Sequence, residues 1–171
     1  GIIQLCRARG AIPYAVVSKG KEDAVLKLGA QGVMLRDSEN FAAEVERMTG
    51  GRPVDVVADL VGGALFGKLL NVLRPEGRYT TAGAIAGPVV QLDLRTMYLK
   101  QLQLNGSSQG TRGAFKRVLG YIQAGTIKPI LAAMYPLSQF HEAQTQFMAK
   151  RFVGNIVVIP DRHYTQATKQ A

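Results

Sequence analysis

One cysteine, two histidines and no tryptophan among 171 residues leave little room for the chemistries that those side chains carry. A lone Cys6 excludes an internal disulfide, and one cysteine with two histidines cannot supply a dedicated four-ligand zinc site. No catalytic residue and no metal ligand is therefore assigned within this chain. Cys6 lies in IIQLCRA among apolar residues at helical spacing, with no neighbouring base to activate it, which predicts a buried structural thiol. His141 falls in a late helix and His163 in a polar tail, and both are expected in solvent. No apolar run approaches the roughly 18 residues that span a bilayer, and the start lacks the basic-then-apolar pattern of a secretory signal. These absences predict a soluble, cytoplasmic protein with no membrane partner.

Negative charge is also scarce. Lysine and arginine number 21 against 12 aspartates and glutamates, a formal net charge of +9, which raises nucleic acid as a partner. The basic residues are scattered from Arg7 to Lys169, however, and no aromatic-rich stacking motif or finger spacing accompanies them. An anionic small molecule explains the one local cluster more economically, so no nucleic acid is expected. What the chain has in quantity is apolar content, 47%, enough for one ordinary domain, or a domain with an extension, to bury a real core.

Residues 11–36, AIPYAVVSKGKEDAVLKLGAQGVMLR, organise the rest. Ala15, Val16 and Val17 are apolar without interruption, which suits a strand covered on both faces, as in a parallel sheet. After Ser18, Lys19, Gly20 and Lys21 comes EDAVLKLG, with Ala24, Val25 and Leu28 on one helical face and Gly29 as its stop; GVML at 32–35 is the next buried strand. In a doubly wound α/β fold ligands lie outside the carboxyl ends of the strands, so Ser18, Lys19, Lys21 and Arg36 point toward one crevice. An acidic residue at the end of the first strand would accept hydrogen bonds from an unmodified ribose, and none is here. A hydroxyl, two ammonium groups and a guanidinium instead make a seat for a dianionic 2′-phosphate. Charge alone would make them solvated loop residues; their position at the strand ends favours the anion.

The alternation continues along the chain. Residues 1–10 read as a helix with Ile2, Leu5 and Cys6 on one side and Gly10 as its end. FAAEVERM at 41–48 is a helix that Ser38 could cap, PVDVVADLV at 53–61 is a strand, and 64–73 is an amphipathic helix closed by Arg74-Pro75-Glu76-Gly77. RYTTA at 78–82 is the strand that follows, opening at Gly83 into a loop. Asp59 has no visible carboxylate partner for acid–base work and reads as a strand-end hydrogen-bonding residue. A short helix at 94–100 precedes LQLNG at 102–106, whose alternation marks an edge strand. Phe115, Val118, Leu119 and Ile122 belong to a helix at 113–124 that Gly125 stops. From Ile127 the pattern changes: 129–137 is extended, Ser138 caps a helix through Lys150, and 154–159 is a final strand. Residues 161–171 are polar without a hydrophobic period, which predicts a mobile tail.

In their order and spacing IIQLCRARGA, the VVS strand, KLGAQGVM, GRPVDVVADLVGG, LRPEGRYTTAGAIAGP and VGNIVVIP resemble the medium-chain dehydrogenase/reductase superfamily over residues 1–160. The likeness is closest to the zinc-free, NADPH-preferring quinone oxidoreductases and enoyl reductases, although zinc-type alcohol dehydrogenases share the same cofactor domain. It implies an α/β fold: a Rossmann-like doubly wound parallel sheet at 1–126 without its first strand and glycine-rich loop, a segment at 127–160 that returns to the catalytic domain, and a polar tail at 161–171. NADP(H) is the implied cofactor. Gly1 takes the place of the last small residue of the glycine-rich loop, and Ser18 follows it by 17 positions, near the roughly 20 expected for a ribose-reading position. Lys21 matches the family's 2′-phosphate lysine, Ser18 the small hydroxyl residue that assists it, and Lys19 is a lesser candidate. Arg36 departs from the tyrosine that many relatives carry there, keeping a donor and adding charge. The resemblance runs backbone from Leu60 to Gly62 beside the cofactor ribose and brings Gly83, Ala84 and Ile85 to the nicotinamide, against the alternative of a glycine-rich turn with no ligand. It also implies a homodimer in which the strand between Gln101 and Ser107 pairs with its copy across a two-fold axis; contact of Gly106, Ser107 and Ser108 with nicotinamide is the other use.

In this family the catalytic domain carries any zinc ligands and most substrate contacts, and none of it is in these 171 residues, so the chain alone should not turn over substrate. The first strand belongs at the centre of the order 3-2-1-4-5-6, and its removal leaves two half-sheets with free inner edges, unless the two halves pair in another way. The reading is thus the cofactor-binding portion of an NADPH-dependent oxidoreductase that moves hydride between nicotinamide and a carbonyl, quinone or enone. A cofactor domain from a zinc-dependent alcohol dehydrogenase and a non-enzymatic nucleotide-binding module are the alternatives. Zinc in the missing domain is not legible from these residues.

Overall fold

The computed structural model describes residues 1–168. A first helix, α1 (Ile2–Ala8), leads into β1 (Tyr14–Val17), α2 (Glu22–Lys27) and β2 (Gly32–Leu35). β1 and β2 pair in parallel with Tyr14 opposite Gly32 and Val17 opposite Leu35, so the two strands end side by side. Ala15 of β1, Val25 of α2 and Ala30 form a small core, onto which Ile3 of α1, Val17 and Val33 pack. α1 is tied down further by the Gln4 side chain, which donates to the Lys128 carbonyl (3.1 Å) and accepts from the Lys128 N–H (2.7 Å). Cys6 departs from expectation: it is only half-buried, because α1 has no fully buried residue.

The larger sheet follows. Helix α3 (Phe41–Thr49) precedes β3 (Val54–Asp59), a 3₁₀ turn at Gly63–Leu65 runs straight into α4 (Phe66–Asn71), and β4 (Leu73–Thr81), α5 (Leu94–Leu99) and β5 (Gln103–Gly106) complete the unit. The strands lie in the order β3-β4-β5, all parallel. Their core gathers Phe41 and Val45 from α3, Phe66, Leu69 and Leu70 from α4, and Val57, Leu73, Tyr79 and Leu102, with Met34 and Val16 from the first sheet packed into the same cluster. Phe41, Leu70 and Leu73 are fully buried, and burial of such a side chain contributes roughly 1.5–3 kcal/mol. Phe66 meets Tyr79 edge-to-face at 5.2 Å, an arrangement the ring quadrupoles favour.

Several local expectations need correction. Ser38 does not cap α3; Asn40 occupies that position, and the Ser38 hydroxyl donates to Glu44 Oε1 at 2.7 Å. β4 begins at Leu73 and runs through the segment whose Pro75 and Gly77 read as a turn, because the pairing with β3 shifts register between Val54 and Val56 and absorbs the irregularity. Neither β1 nor β2 has an exposed residue, whereas β3 is covered on one face only. In β3, Val57 and Asp59 are buried while Val56 is 45% exposed, so one face of that sheet is bare among the described residues.

After α6 (Arg112–Gln123), capped by the Thr111 hydroxyl, come β6 (Leu131–Pro136), α7 (Phe140–Ala149) and β7 (Asn155–Ile159), with β6 and β7 parallel. Ser138 does not cap α7, whose cap position is Gln139; its hydroxyl donates to Asp161. That bond helps anchor a last helix, α8 (Asp161–Thr168), where a mobile tail was expected. The Tyr164 hydroxyl adds a second anchor, donating to the Met134 carbonyl at 3.3 Å, and residues 169–171 of the expected tail lie outside the described residues. The first two sheets remain separate, so β1 and β3 each keep one edge without a partner strand among the described residues, as two half-sheets would.

Candidate functional site

The carboxyl ends of β3 and β4 open into two glycine-rich loops that interlock. Ala82 N–H donates to the Asp59 carbonyl (3.0 Å), Ala86 N–H to Val61 (2.8 Å) and Gly63 N–H to Gly87 (3.2 Å). Their approach leaves no space for side chains: a Cβ on Gly63 would lie 2.8 Å from the Ala86 oxygen, one on Gly83 2.9 Å from the Leu60 oxygen, and one on Gly62 3.0 Å from the Gly87 oxygen. Gly62 and Gly63 also both take φ near +65°, a conformation that costs side-chain-bearing residues about 1–2 kcal/mol. The structure thus brings together five sequence-predicted residues, Leu60, Gly62, Gly83, Ala84 and Ile85, on one backbone cluster. Ile85 is exposed beside it.

Beneath the cluster sits a buried carboxylate. Asp59 Oδ1 accepts from the Val61 and Gly62 N–H groups (2.8 and 3.1 Å), Oδ2 accepts from Gly62 N–H (3.2 Å), and the Tyr79 hydroxyl donates to Oδ2 at 2.6 Å. Burial pushes the Tyr79 hydroxyl pKa well above its ordinary value of 10.0, and the bond to Asp59 and its negative charge push it further. The folded state therefore keeps a proton that the unfolded chain releases above about pH 10, so this residue's contribution to stability falls as pH rises past that point. Urea unfolding of the full-length protein between about pH 8 and 11 should show that decline, and Tyr79→Phe should flatten it. An identical slope in the variant would assign it elsewhere.

A second group of predicted residues stands at the ends of β1 and β2. Arg36 N–H donates to the Val17 carbonyl at 2.9 Å, and Lys21 N–H to the Ser18 carbonyl at 3.3 Å, which makes Ser18, Lys21 and Arg36 backbone neighbours. Ser18 and Lys21 are half-buried, while Lys19 and Arg36 are exposed. Among the described residues no carboxylate pairs with Lys19, Lys21 or Arg36, since the ion pairs are Arg74 with Asp55 and Arg95 with Asp93. Gly1 sits apart from both groups in bonding, exposed at the start of α1, where its carbonyl accepts from Leu5 N–H (2.9 Å). A concavity of about 300 Å³ between α4 and α5, lined by Leu70, Asn71 and Asp93 among others, touches none of these residues.

Sequence reasoning missed Tyr79, Gly63 and Gly87. The Gly62-Gly63 doublet and the Gly87-Pro88 step were visible signals of close backbone approach, but which loops approach each other depends on strand register. Tyr79 shares with Asp59 only the alternation that turns both inward.

The model of the zinc-binding dehydrogenases matches residues 1–124. The chain belongs to that family. Within it, a crystal structure of a protein described as a candidate alcohol dehydrogenase from Sinorhizobium meliloti 1021 shares 66% identity over 94% of this chain and 44% of its own, with a TM-score of 0.89. Among curated relatives, the 2-haloacrylate reductase of a Burkholderia species is 27% identical over 93% of this chain and 51% of its own length. The NAD-dependent alcohol dehydrogenase of Sulfurisphaera tokodaii is 27% identical over 92% of this chain and 46% of its own. The chain spans about half the length of these relatives and is the cofactor-binding portion of a medium-chain dehydrogenase/reductase. In the glycine cluster the space that side chains would take is filled by the carbonyl oxygens of the opposing loop, so the glycines serve the close approach of backbone to backbone. Among the described residues no three His, Cys, Asp or Glu side chains gather to hold a metal ion. No described helix is long and apolar enough to cross a membrane.

Proposed function

We propose that the full-length protein is an NADPH-dependent oxidoreductase acting on a carbonyl or on an alkene conjugated to one, of the quinone or enone type. The observation that carries the NADPH preference is the junction of β1 and β2, where Arg36 N–H bonds the Val17 carbonyl and the Lys21 turn begins at Ser18, with a hydroxyl where an acid would select an unphosphorylated ribose. Ser18, Lys19, Lys21 and Arg36 would hold the 2′-phosphate, and the backbone at Leu60, Gly62, Gly83, Ala84 and Ile85 would face the ribose and nicotinamide. The bound cofactor would supply the hydride; this chain's residues bind and orient it.

The substrate class draws support from relatives whose names describe reductases of 2-haloacrylate, acryloyl-coenzyme A and crotonyl-CoA, each an alkene conjugated to a carbonyl. A crotonyl-CoA carboxylase/reductase of the same fold has been solved in complex with NADP. A second reading, an alcohol dehydrogenase that uses zinc bound outside this chain, is favoured by the relative at 66% identity. We further propose a homodimer through the β5 edge between Gln101 and Ser107, since β5 ends the sheet order, and one further strand between the free edges of β1 and β3 in the full-length protein, which would complete a doubly wound sheet.

The test is titration of the full-length protein with NADPH and NADH, followed by nicotinamide fluorescence, and then turnover with quinones, enones and alcohols with and without chelator. The expected result is at least about tenfold tighter NADPH binding and chelator-insensitive reduction of a quinone or enone. Preference for NADH, or alcohol oxidation lost on chelation, would replace this reading with the second.

A further inference from the structure

Four of the residues that form the interlocked loops are glycines, Gly62, Gly63, Gly83 and Gly87, and glycine loses more conformational freedom on folding than any other residue. Something other than their own side chains must hold them. Asp59 does so from below: it is 6% exposed, and its carboxylate engages the Val61 and Gly62 N–H groups. Its carbonyl meanwhile takes the Ala82 N–H of the second loop. One residue therefore grips both loops.

The carboxylate is in turn gripped by Tyr79, 4% exposed, whose hydroxyl donates at 2.6 Å. Burying a negative charge is costly unless hydrogen bonds satisfy it. Here every bond that satisfies it, Tyr79 apart, comes from the turn itself. Continuing outward, Val61 holds Ala86 and Gly63 holds Gly87, so the Tyr79–Asp59 contact heads a hydrogen-bonded series that ends in the Gly83–Gly87 backbone.

We propose that Asp59, backed by Tyr79, is a positioning residue for the coenzyme: it fixes the shape of the two glycine loops against which the ribose and nicotinamide half binds. The inference rests on the coenzyme reading above and adds that affinity for that half depends on a residue that never touches it.

The experiment uses Asp59→Asn and Tyr79→Phe in the full-length protein, titrated calorimetrically with NADPH, with NADH, and with 2′,5′-ADP, which carries the adenosine end and its 2′-phosphate but no nicotinamide ribose. Titrations are run below the melting temperature of each variant, and Tyr79→Phe, which only removes a hydroxyl, serves if Asp59→Asn does not fold. Asp59→Asn should weaken NADPH and NADH alike by roughly tenfold and Tyr79→Phe by roughly threefold, the scale of weakened charged hydrogen bonds, with 2′,5′-ADP changed less than about twofold. Unchanged NADPH affinity in both variants would overturn the proposal. So would an equal loss of 2′,5′-ADP, which would mark a merely structural role. A wild-type protein that binds neither dinucleotide would instead overturn the coenzyme reading, and this inference with it.

Discussion

Replacing Lys21 and Arg36 together, Lys21→Ala with Arg36→Ala, should lower the NADPH affinity of the full-length protein roughly a hundredfold and change NADH binding less than about threefold. Each residue would lose about 1–3 kcal/mol if it donates a charged hydrogen bond to the 2′-phosphate. The lower half of that range is the better expectation, because Arg36 is exposed and Lys21 half-buried, and water and salt weaken charges at such positions. For the same reason the preference for NADPH should shrink as ionic strength rises. An acid at the end of β1 would have the opposite taste in coenzymes, so Ser18→Asp should move the protein toward NADH. Equal loss of both coenzymes in the double variant would place these residues away from the 2′-phosphate.

The second large effect is on stability. Gly63→Ala should destabilise the full-length protein by about 2–4 kcal/mol in urea unfolding, combining the cost of a left-handed residue with that of overpacking. Its Cβ would sit 2.8 Å from the Ala86 oxygen and 3.1 Å from the Ala86 Cβ, and the obstacle is backbone that the neighbouring hydrogen bonds hold in place. Gly67→Ala is the control: Gly67 lies within α4 with nothing within 4 Å of its Cβ position, so alanine should be neutral or stabilising by up to about 1 kcal/mol. Similar outcomes for the two substitutions would mean that the loops do not interlock as described.

Much of the architecture was legible because it rests on local patterns. The apolar runs of β1, β2 and β3, the helical spacing of α3 and α6, and the glycines after α2 and α3 mark their elements without reference to the rest of the chain. The position of β5 at the end of its sheet agrees with the alternation of LQLNG. What was not legible depends on pairing at a distance. Pro75 and Gly77 signal a turn by themselves, yet they lie within β4 because the shifted register beside Val54 accommodates them. α8 has no apolar stripe to announce it and forms where the Ser138 hydroxyl and the Met134 carbonyl supply contacts from 23 and 30 residues away in sequence.

The site divides along the same line. Ser18, Lys21 and Arg36 could be chosen because each directly follows a strand or its turn, a position that sequence reveals. Asp59 was rightly read as a hydrogen-bonding residue at a strand end, but its partners could not be named, since Tyr79 lies 20 positions away and reaches it only through the β3–β4 pairing. Exposed apolar residues on α6, such as Phe115 at 65%, and the bare face at Val56 show helix and strand patterns whose burial the described residues do not complete.

The most direct measurement is a crystal structure of the full-length protein with NADPH. The account predicts the 2′-phosphate between the Ser18 hydroxyl, the Lys21 ammonium and the Arg36 guanidinium, with the ribose and nicotinamide half lying along the Gly62 and Gly83 loops. A 2′-phosphate turned to solvent, or a dinucleotide bound on another face of the molecule, would contradict it.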